Sequence, residues 1–525
     1  MHQTTKRLSK ILAVGAAAAL TLTACGGGSN SDSSGSGAEG GKGGVIKAAV
    51  MYETQTYTPV AASSALALSA NWHVMEGLYE LDMATGVPYK ALAKQDEPTK
   101  VSDTEYEVAL RDDAKYSDGS EVKAEDIVNS WKKNTSDDSL YAPMLSFIKE
   151  VKAKDDHTVS IELNYPFSLL KDRLPLIKAF PASASDDDLA KQPIGSGPYK
   201  YESIEENQKI VFVPNEHYNG DKPAGADKME WSILKDNTAR ATALQSGEVQ
   251  VMESVPPALR DLVEGAGAKI ENVQGFGLPF LMFNTKKAPF DNAKVRQAIF
   301  YAIDIDKLID NAMAGEAAAA KSFLPENHKN FHQAKNVYTY DADKAKALLD
   351  EAGVKDLSIT LMTTDHDWIK ALSPQIKNNL EAIGIKTEIH EEASSSLYSN
   401  NLDIENPTFD IVLAPGDPAV FGSDPDLLMS WWYGDGPWTE KRSQWKGSEG
   451  YEKLHKLMEE AVQATGEEQQ AKWNECFDVL SEEVPLYPLF HRQIPTAVYT
   501  DKIKDYKPIG TTGLNFVGAS AVEKQ

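Results

Sequence analysis

From Val45 onward the chain switches repeatedly between two hydrophobic periods, and it does so for about 480 residues. Short stretches alternate apolar and polar residues, as half-buried strands do. VIKAAVMYE (45–53), TEYEVALR (104–111), TVSIELN (158–164), KIVFVPNEHY (209–218), DKMEWSIL (227–234), IKTEI (385–389) and FDIVLAP (409–415) are of this kind. Between them lie stretches with apolar residues three and four apart, which predict helices. In ALALSANWHVMEGLYELD (65–82) a helix runs into a short strand. After the Asp118-Gly119 turn signal, Ile127, Val128 and Trp131 share one helical face. Further helices are predicted over 237–249, 291–304, 341–353, 371–384, 451–464 and 469–484, with Asp341 as an N-cap and Gly353 and Gly384 as stops. PLYPLFHR (485–492) carries two prolines and predicts an edge strand. Strands and helices interleaved in this way predict α/β lobes, not a β-sandwich. The length exceeds what one small core organises and predicts two or three lobes. There is no internal repeat.

The start of the chain predicts a compartment. Lys6, Arg7 and Lys10 precede the apolar run Ile11–Leu22, which is too short for the roughly 20 residues that span a bilayer. A basic flank, a short apolar core and small residues near a cut site make an export signal over residues 1–24. LTAC (22–25) resembles the lipobox of bacterial lipoproteins, which implies that Cys25 is lipidated and becomes the new N-terminus. The glycine- and serine-rich stretch after it (25–44) predicts a flexible tether with a span on the order of 25 Å. Only Cys476 would then remain as a free thiol, so no intramolecular disulfide is expected, and its helical setting predicts a small buried apolar residue.

The net charge of −25 argues against nucleic acid as a partner and against docking on anionic lipid by charge. It permits cationic solutes, and it serves equally as a solubility device. There is no G-x-S-x-G, no H-E-x-x-H and no cysteine–histidine couple, so enzyme chemistry such as hydrolysis is the remotest reading. His328 and His332 stand four apart in a Pro/Asn-flanked loop and are expected at the surface, not as metal ligands; no cofactor is expected.

The loop APGDPAVFGSDPD (414–426) sets aspartates among prolines and glycines, at the expected carboxyl end of a strand and just before LLMSWWYG (427–434). In open α/β sheets ligands bind beyond the carboxyl ends of strands. A carboxylate in that place either waits for a positive charge or caps a local turn.

Order and spacing of several motifs carry a family resemblance: YSDGSEVKAEDIVNSW (116–131), PIGSGPYKY (193–201), PNEHYNGDKP (214–223), FNTKKAPFDNAKVRQAIFYAID (283–304), YDADKAKALLDEAG (340–353) and FDIVLAPGD with DPD (409–426). From residue 45 to about 510 the chain resembles the family 5 extracellular solute-binding proteins of ABC importers, the oligopeptide- and dipeptide-binding type. The resemblance implies a bilobal periplasmic-binding-protein-like α/β fold of the class II, peptide-binding type. Lobe I would be discontinuous, from 45–86, 195–288 and 490–525, with an additional domain inserted at 87–194. Lobe II would be 289–489. A lipid-anchored monomer would close on a peptide and dock on the permease subunits of an importer, on the outer face of a cell membrane of Gram-positive type.

In peptide-binding relatives an aspartate of this loop pairs with the ligand's α-ammonium, and the matching position is Asp417. The interval before DPD carries the extra residues PAVFGS, which makes Asp424 a rival. Tyr52, Glu53, Thr54 and Tyr57, at the end of the first strand, are further candidate contacts. So are Phe276 and Gly277 near the hinge, and Trp431 and Trp432 after the aspartate loop, where aromatic residues either line pockets or fill a core. His491 and Arg492 would reach a carboxylate terminus or solvate a strand edge. Within the same fold the ligand could instead be an oligosaccharide, a nickel complex or another cation.

Overall fold

The computed structural model describes residues 43–136 and 139–522; the signal, Cys25 and the tether up to residue 42 lie outside the described residues. Among the described residues, three larger sheets organise the chain. In the first, the strands run in the order Lys269–Gln274, Phe490–Val498, Val251–Met252, Val45–Val50, Lys228–Ile233, Lys209–Pro214 and Tyr199–Glu205, with Ala317–Ala319 added beside Phe490–Val498. Val45–Val50 is parallel to both neighbours. Ile46, Ala48 and Val50 enter one core and Ala49 enters another on the opposite face. Burial on both faces is why this strand is almost continuously apolar.

The second sheet has the order Lys386–Glu392, Ser358–Thr364, Ile411–Gly416, Leu278–Phe283 and Leu486–Pro488. Two of its three inner strands, Ile411–Gly416 and Leu278–Phe283, are antiparallel and bury Ile411 to Ala414 and all six residues from Leu278 to Phe283. The third sheet is antiparallel, from Thr99–Lys100, Glu105–Ala109, Thr158–Leu163 and Ile148–Asp155. Helix Ala124–Asn134 packs on it and buries Ile127 and Val128, while Trp131 is half-buried. Asp341 caps helix Ala342–Glu351 by accepting from the Lys344 N–H, as its position predicts. Cys476 is fully buried in helix Gly466–Glu483, and burial pushes its thiol well above the ordinary range.

The chain crosses from the first sheet to the second at residues 275–277 and returns at Leu489. Leu278–Phe283 stands within the segment assigned above to lobe I, yet it is bonded on both sides within the second sheet. The prolines of 485–492 also divide: Leu486–Pro488 is an edge strand, whereas Phe490–Val498 runs inside the first sheet. Gly275 is obligatory at the first crossing. A Cβ there would stand 1.9 Å from the Gly510 carbonyl oxygen. The boundary drawn above at residue 86 falls in the turn of a hairpin, Tyr79–Asp82 with Val87–Lys90, whose hydrogen bonds keep it whole.

One continuous core joins the third sheet to the second, with Val108 and Ile161 in the same cluster as Leu281 and Phe300. At that junction Arg173, 1% exposed, reaches Asp424 at 2.9 Å and Asp426 at 2.8 Å and donates to the Met144 carbonyl at 2.6 Å. The helical turn that carries Arg173 and the start of helix Pro425–Tyr433 are thereby tied by a buried ion triad.

Candidate ligand-binding cleft

Strand Ile411–Gly416 delivers Asp417 to the junction of the two large sheets. Its Oδ2 accepts three hydrogen bonds, from Thr511 Oγ1 at 2.9 Å, the Thr512 N–H at 2.8 Å and Thr512 Oγ1 at 3.0 Å. These donors come from the C-terminal tail, not from the local turn. Oδ1 is sealed from solvent and has no partner among the described residues. Burial pushes the Asp417 carboxyl above the ordinary carboxylate range, while the Thr512 N–H, the two hydroxyls and Arg492 oppose that shift. The result is an oriented carboxylate with one oxygen held and the other sealed and unpartnered, a geometry suited to a charge-assisted hydrogen bond.

Gly277 provides the room beside it. A Cβ at that position would lie 3.4 Å from Asp417 Oδ2 and 3.6 Å from Arg492 Cγ. Arg492 sits on the returning crossover, where its N–H donates to the Gly277 carbonyl at 2.8 Å. Its guanidinium lies 4.6 Å from the centroid of the Trp368 ring. Tyr52, half-buried at the end of the first strand, stands edge-on to His366 with centroids 5.6 Å apart. Burial raises the Tyr52 phenol; Arg492 lowers it, Glu253 raises it, the Trp368 side chain lowers it and Asp417 raises it. Glu253, 3% exposed, accepts from the Met51 and Gly513 N–H groups at 3.0 Å each. Burial raises its carboxyl too, against the N–H of Met51, Arg240, the N–H of Gly513 and Arg492.

Five expected contacts therefore gather at one place. Asp417, Gly277 and Tyr52 form the polar part. Phe276 and Trp432 back it, with near-parallel rings 6.1 Å apart, and Trp432 packs against the strand end at Gly416. The other candidates go elsewhere. Glu53 is exposed and lies 3.8 Å from Lys235. Thr54 is buried with its hydroxyl on the Thr56 carbonyl at 2.8 Å. Tyr57 packs edge-on against Tyr201 in the first-lobe core. Trp431 packs on Phe421 at 4.8 Å.

Asp424, the rival carboxylate, caps helix Pro425–Tyr433 by accepting from the Leu427 N–H at 2.8 Å and is paired with Arg173. Both bonds fall on Oδ1 and its Oδ2, like Asp417 Oδ1, is sealed without a partner among the described residues, but the charge of Asp424 is already answered by the buried Arg173 guanidinium. His328 departs from its expected surface position. It is half-buried, Nε2 donates to the Ser423 carbonyl at 2.7 Å, and Nδ1 accepts from the Asn330 N–H at 3.1 Å. His491 is not at a solvated edge either. It is 1% exposed, Nδ1 donates to the Phe276 carbonyl at 2.8 Å, and burial lowers its pKa to about 4.

Sequence reasoning missed Glu253, Trp368 and the Thr511–Thr512 pair. Glu253 follows the short strand Val251–Met252, parallel to the first strand, so a strand-end rule applied to both would have found it. Thr511 and Thr512 lie between Gly510 and Gly513 in a tail with no regular periodicity, and no local signal marks them. A cavity of about 30 Å³ near Trp72, Tyr141 and Phe421 is too small for a peptide and does not include Asp417.

Residues 87–445 match the family described as bacterial extracellular solute-binding proteins, family 5 Middle. A probable D,D-dipeptide-binding periplasmic protein of Escherichia coli is 25% identical over 416 residues, 75% of this chain and 77% of that protein. Two solved structures share the fold. The ABC transporter-associated periplasmic binding protein DppA from Helicobacter pylori, in complex with the peptide STSA, superposes with a TM-score of 0.79 at 22% identity, over 91% of this chain and 98% of that one. NikA from Staphylococcus aureus, in complex with Ni(L-His)2, gives 0.75 at 19%, over 92% and 100%. The fold is thus the bilobal α/β fold of these proteins, and its task is binding for transport, not catalysis. The chain belongs to the bacterial extracellular solute-binding proteins, family 5.

Proposed function

We propose that this protein captures peptides between its two lobes and delivers them to the permease of an ABC importer while Cys25 holds it to the outer face of the membrane by a lipid. The observation that carries the peptide reading is Asp417, a buried carboxylate fixed by three donors on Oδ2 with Oδ1 unpartnered. Such a group stabilises an α-ammonium most when water is excluded. Its donors are preset before ligand arrives, which lowers the ordering cost of binding.

Asp417 Oδ1 is sealed from solvent, so a ligand reaches it when the lobes part. The crossings at 275–277 and Leu489 are the places where few residues would absorb that motion. The relative that is a probable D,D-dipeptide binder and the neighbour holding STSA support a peptide ligand; the neighbour holding a nickel–histidine complex makes ligand identity the point to test.

The test is ligand identification. The full chain, purified without denaturation from its native membrane, is treated with acid and the released material is analysed by mass spectrometry. Peptides with free N-termini support the reading, and recovery of the chain with a diacylglyceryl Cys25 supports the anchor. Sugars or a metal complex in stoichiometric amount would replace the peptide reading.

A further inference from the structure

Arg492 is 3% exposed, yet among the described residues its guanidinium has no hydrogen-bond acceptor and no carboxylate within salt-bridge distance; its Nε is sealed and bare. The other deeply buried arginines are answered. Arg173 meets Asp424, Asp426 and the Met144 carbonyl. Arg240 meets the Leu234, Lys235 and Ser254 carbonyls and Asn237 Oδ1. Arg296 meets the Phe290 and Glu483 carbonyls. A buried guanidinium without an acceptor is costly, and stacking on Trp368 recovers only part of that cost.

Two more bare groups stand beside it. The indole N–H of Trp368, whose ring lies under the Arg492 guanidinium, is sealed without an acceptor, and Asp417 Oδ1 is sealed without a donor. The Gly277 contacts place Asp417 and Arg492 around one methyl-sized space. One acceptor and two donors therefore wait together. The nearby charges already balance: Glu253 is held by two backbone N–H groups and Arg240 by carbonyls, which leaves Asp417 and Arg492 as the pair free for a ligand. A ligand with an ammonium alone would satisfy Asp417 and leave Arg492 bare. A zwitterion satisfies both and keeps the cleft neutral.

We propose that Arg492, with the Trp368 indole N–H, binds the carboxylate of the ligand, so that the substrate class is the short zwitterionic peptide whose two ends both lie inside the closed cleft. This rests on the peptide reading above. Arg492 is then a specificity-determining residue, and longer or C-terminally blocked peptides are poor ligands.

The experiment is calorimetric titration of the ligand-free protein with Ala-Phe, its C-terminal amide and its N-acetyl form, repeated on Arg492→Gln and Arg492→Lys. The proposal expects amidation to weaken binding to the wild type by about tenfold or more. Arg492→Gln should bind the free acid as weakly as the amide and lose the discrimination, and Arg492→Lys should retain part of it. Equal affinity of the wild type for acid and amide overturns the proposal, as does undiminished discrimination in the glutamine variant or failure of the wild type to bind Ala-Phe at millimolar concentration. The acid–amide comparison on the wild type decides even if the variants do not fold. Loss on acetylation without loss on amidation leaves the peptide reading standing and removes Arg492. Loss on amidation alone keeps Arg492 and removes the ammonium role of Asp417.

Discussion

Asp417 and Arg492 are close enough to share one methyl group: a Cβ at Gly277 would touch Oδ2 of the first at 3.4 Å and Cγ of the second at 3.6 Å. Both distances are ordinary contacts, so Gly277→Ala should fold with a change in stability below about 1 kcal/mol. The methyl takes space beside the Asp417 carboxylate and the aliphatic stem of Arg492. Affinity for a dipeptide should fall by about tenfold, near 1.4 kcal/mol, with little change in melting temperature. An unchanged affinity would show that ligand does not approach Asp417 past Gly277.

The buried triad makes a separate prediction about stability. Arg173→Met leaves Asp424 and Asp426 together without their cation, and Asp426 is already held above the ordinary range by burial and by Asp424, against Arg173. The expected loss is about 3–5 kcal/mol. Asp424→Asn keeps a good cap for helix Pro425–Tyr433 and should cost less. Denaturant titrations of both variants check the order; equal small losses would mean that the triad adds little to the junction.

Protonation gives a third test. Burial raises the Asp417 and Glu253 carboxyls above their ordinary values. For such groups the folded chain takes up protons at a higher pH than the unfolded chain. Their contribution to stability is therefore lost as pH rises through the window between the unfolded and the raised folded value. An ammonium ligand selects ionised Asp417. Binding at mildly acidic pH should release a proton, and affinity should fall as pH drops. Calorimetry in two buffers of different ionisation enthalpy measures the release, which Asp417→Asn should reduce. Identical proton release in wild type and variant would remove Asp417 from the linkage.

Gly416→Ala should be structurally damaging where Gly277→Ala is not. Its Cβ would stand 2.2 Å from Trp432 Cζ2, and Trp432 is only 1% exposed. The expected cost is about 1–3 kcal/mol of stability by overpacking, together with weaker ligand binding as Asp417 shifts. Thermal denaturation compared with the Gly277 variant checks the contrast.

Much of the fold was legible because its elements are locally consistent. Ile411 to Ala414 form a continuous apolar run because that strand is buried on both faces. Asp341 caps its helix by chemistry confined to four residues. The site was legible only in part. Asp417 stands at a strand end beside prolines, a local signal. Thr511, Thr512 and Arg492 meet it from segments far apart in sequence, and nothing local marks such a meeting. Asp424 shows the same limit from the other side: its partner Arg173 lies 251 positions away, so its neighbours in sequence could not reveal that it was already engaged.

Whether Asp417 clamps a ligand ammonium is decided by titrating wild type and Asp417→Asn with one dipeptide and its N-acetyl form. The account predicts that acetylation costs the wild type more than about 1.5 kcal/mol and that the variant binds both forms with equal, weakened affinity. A wild type that binds both forms alike, or a variant that still prefers the free amine, would contradict it.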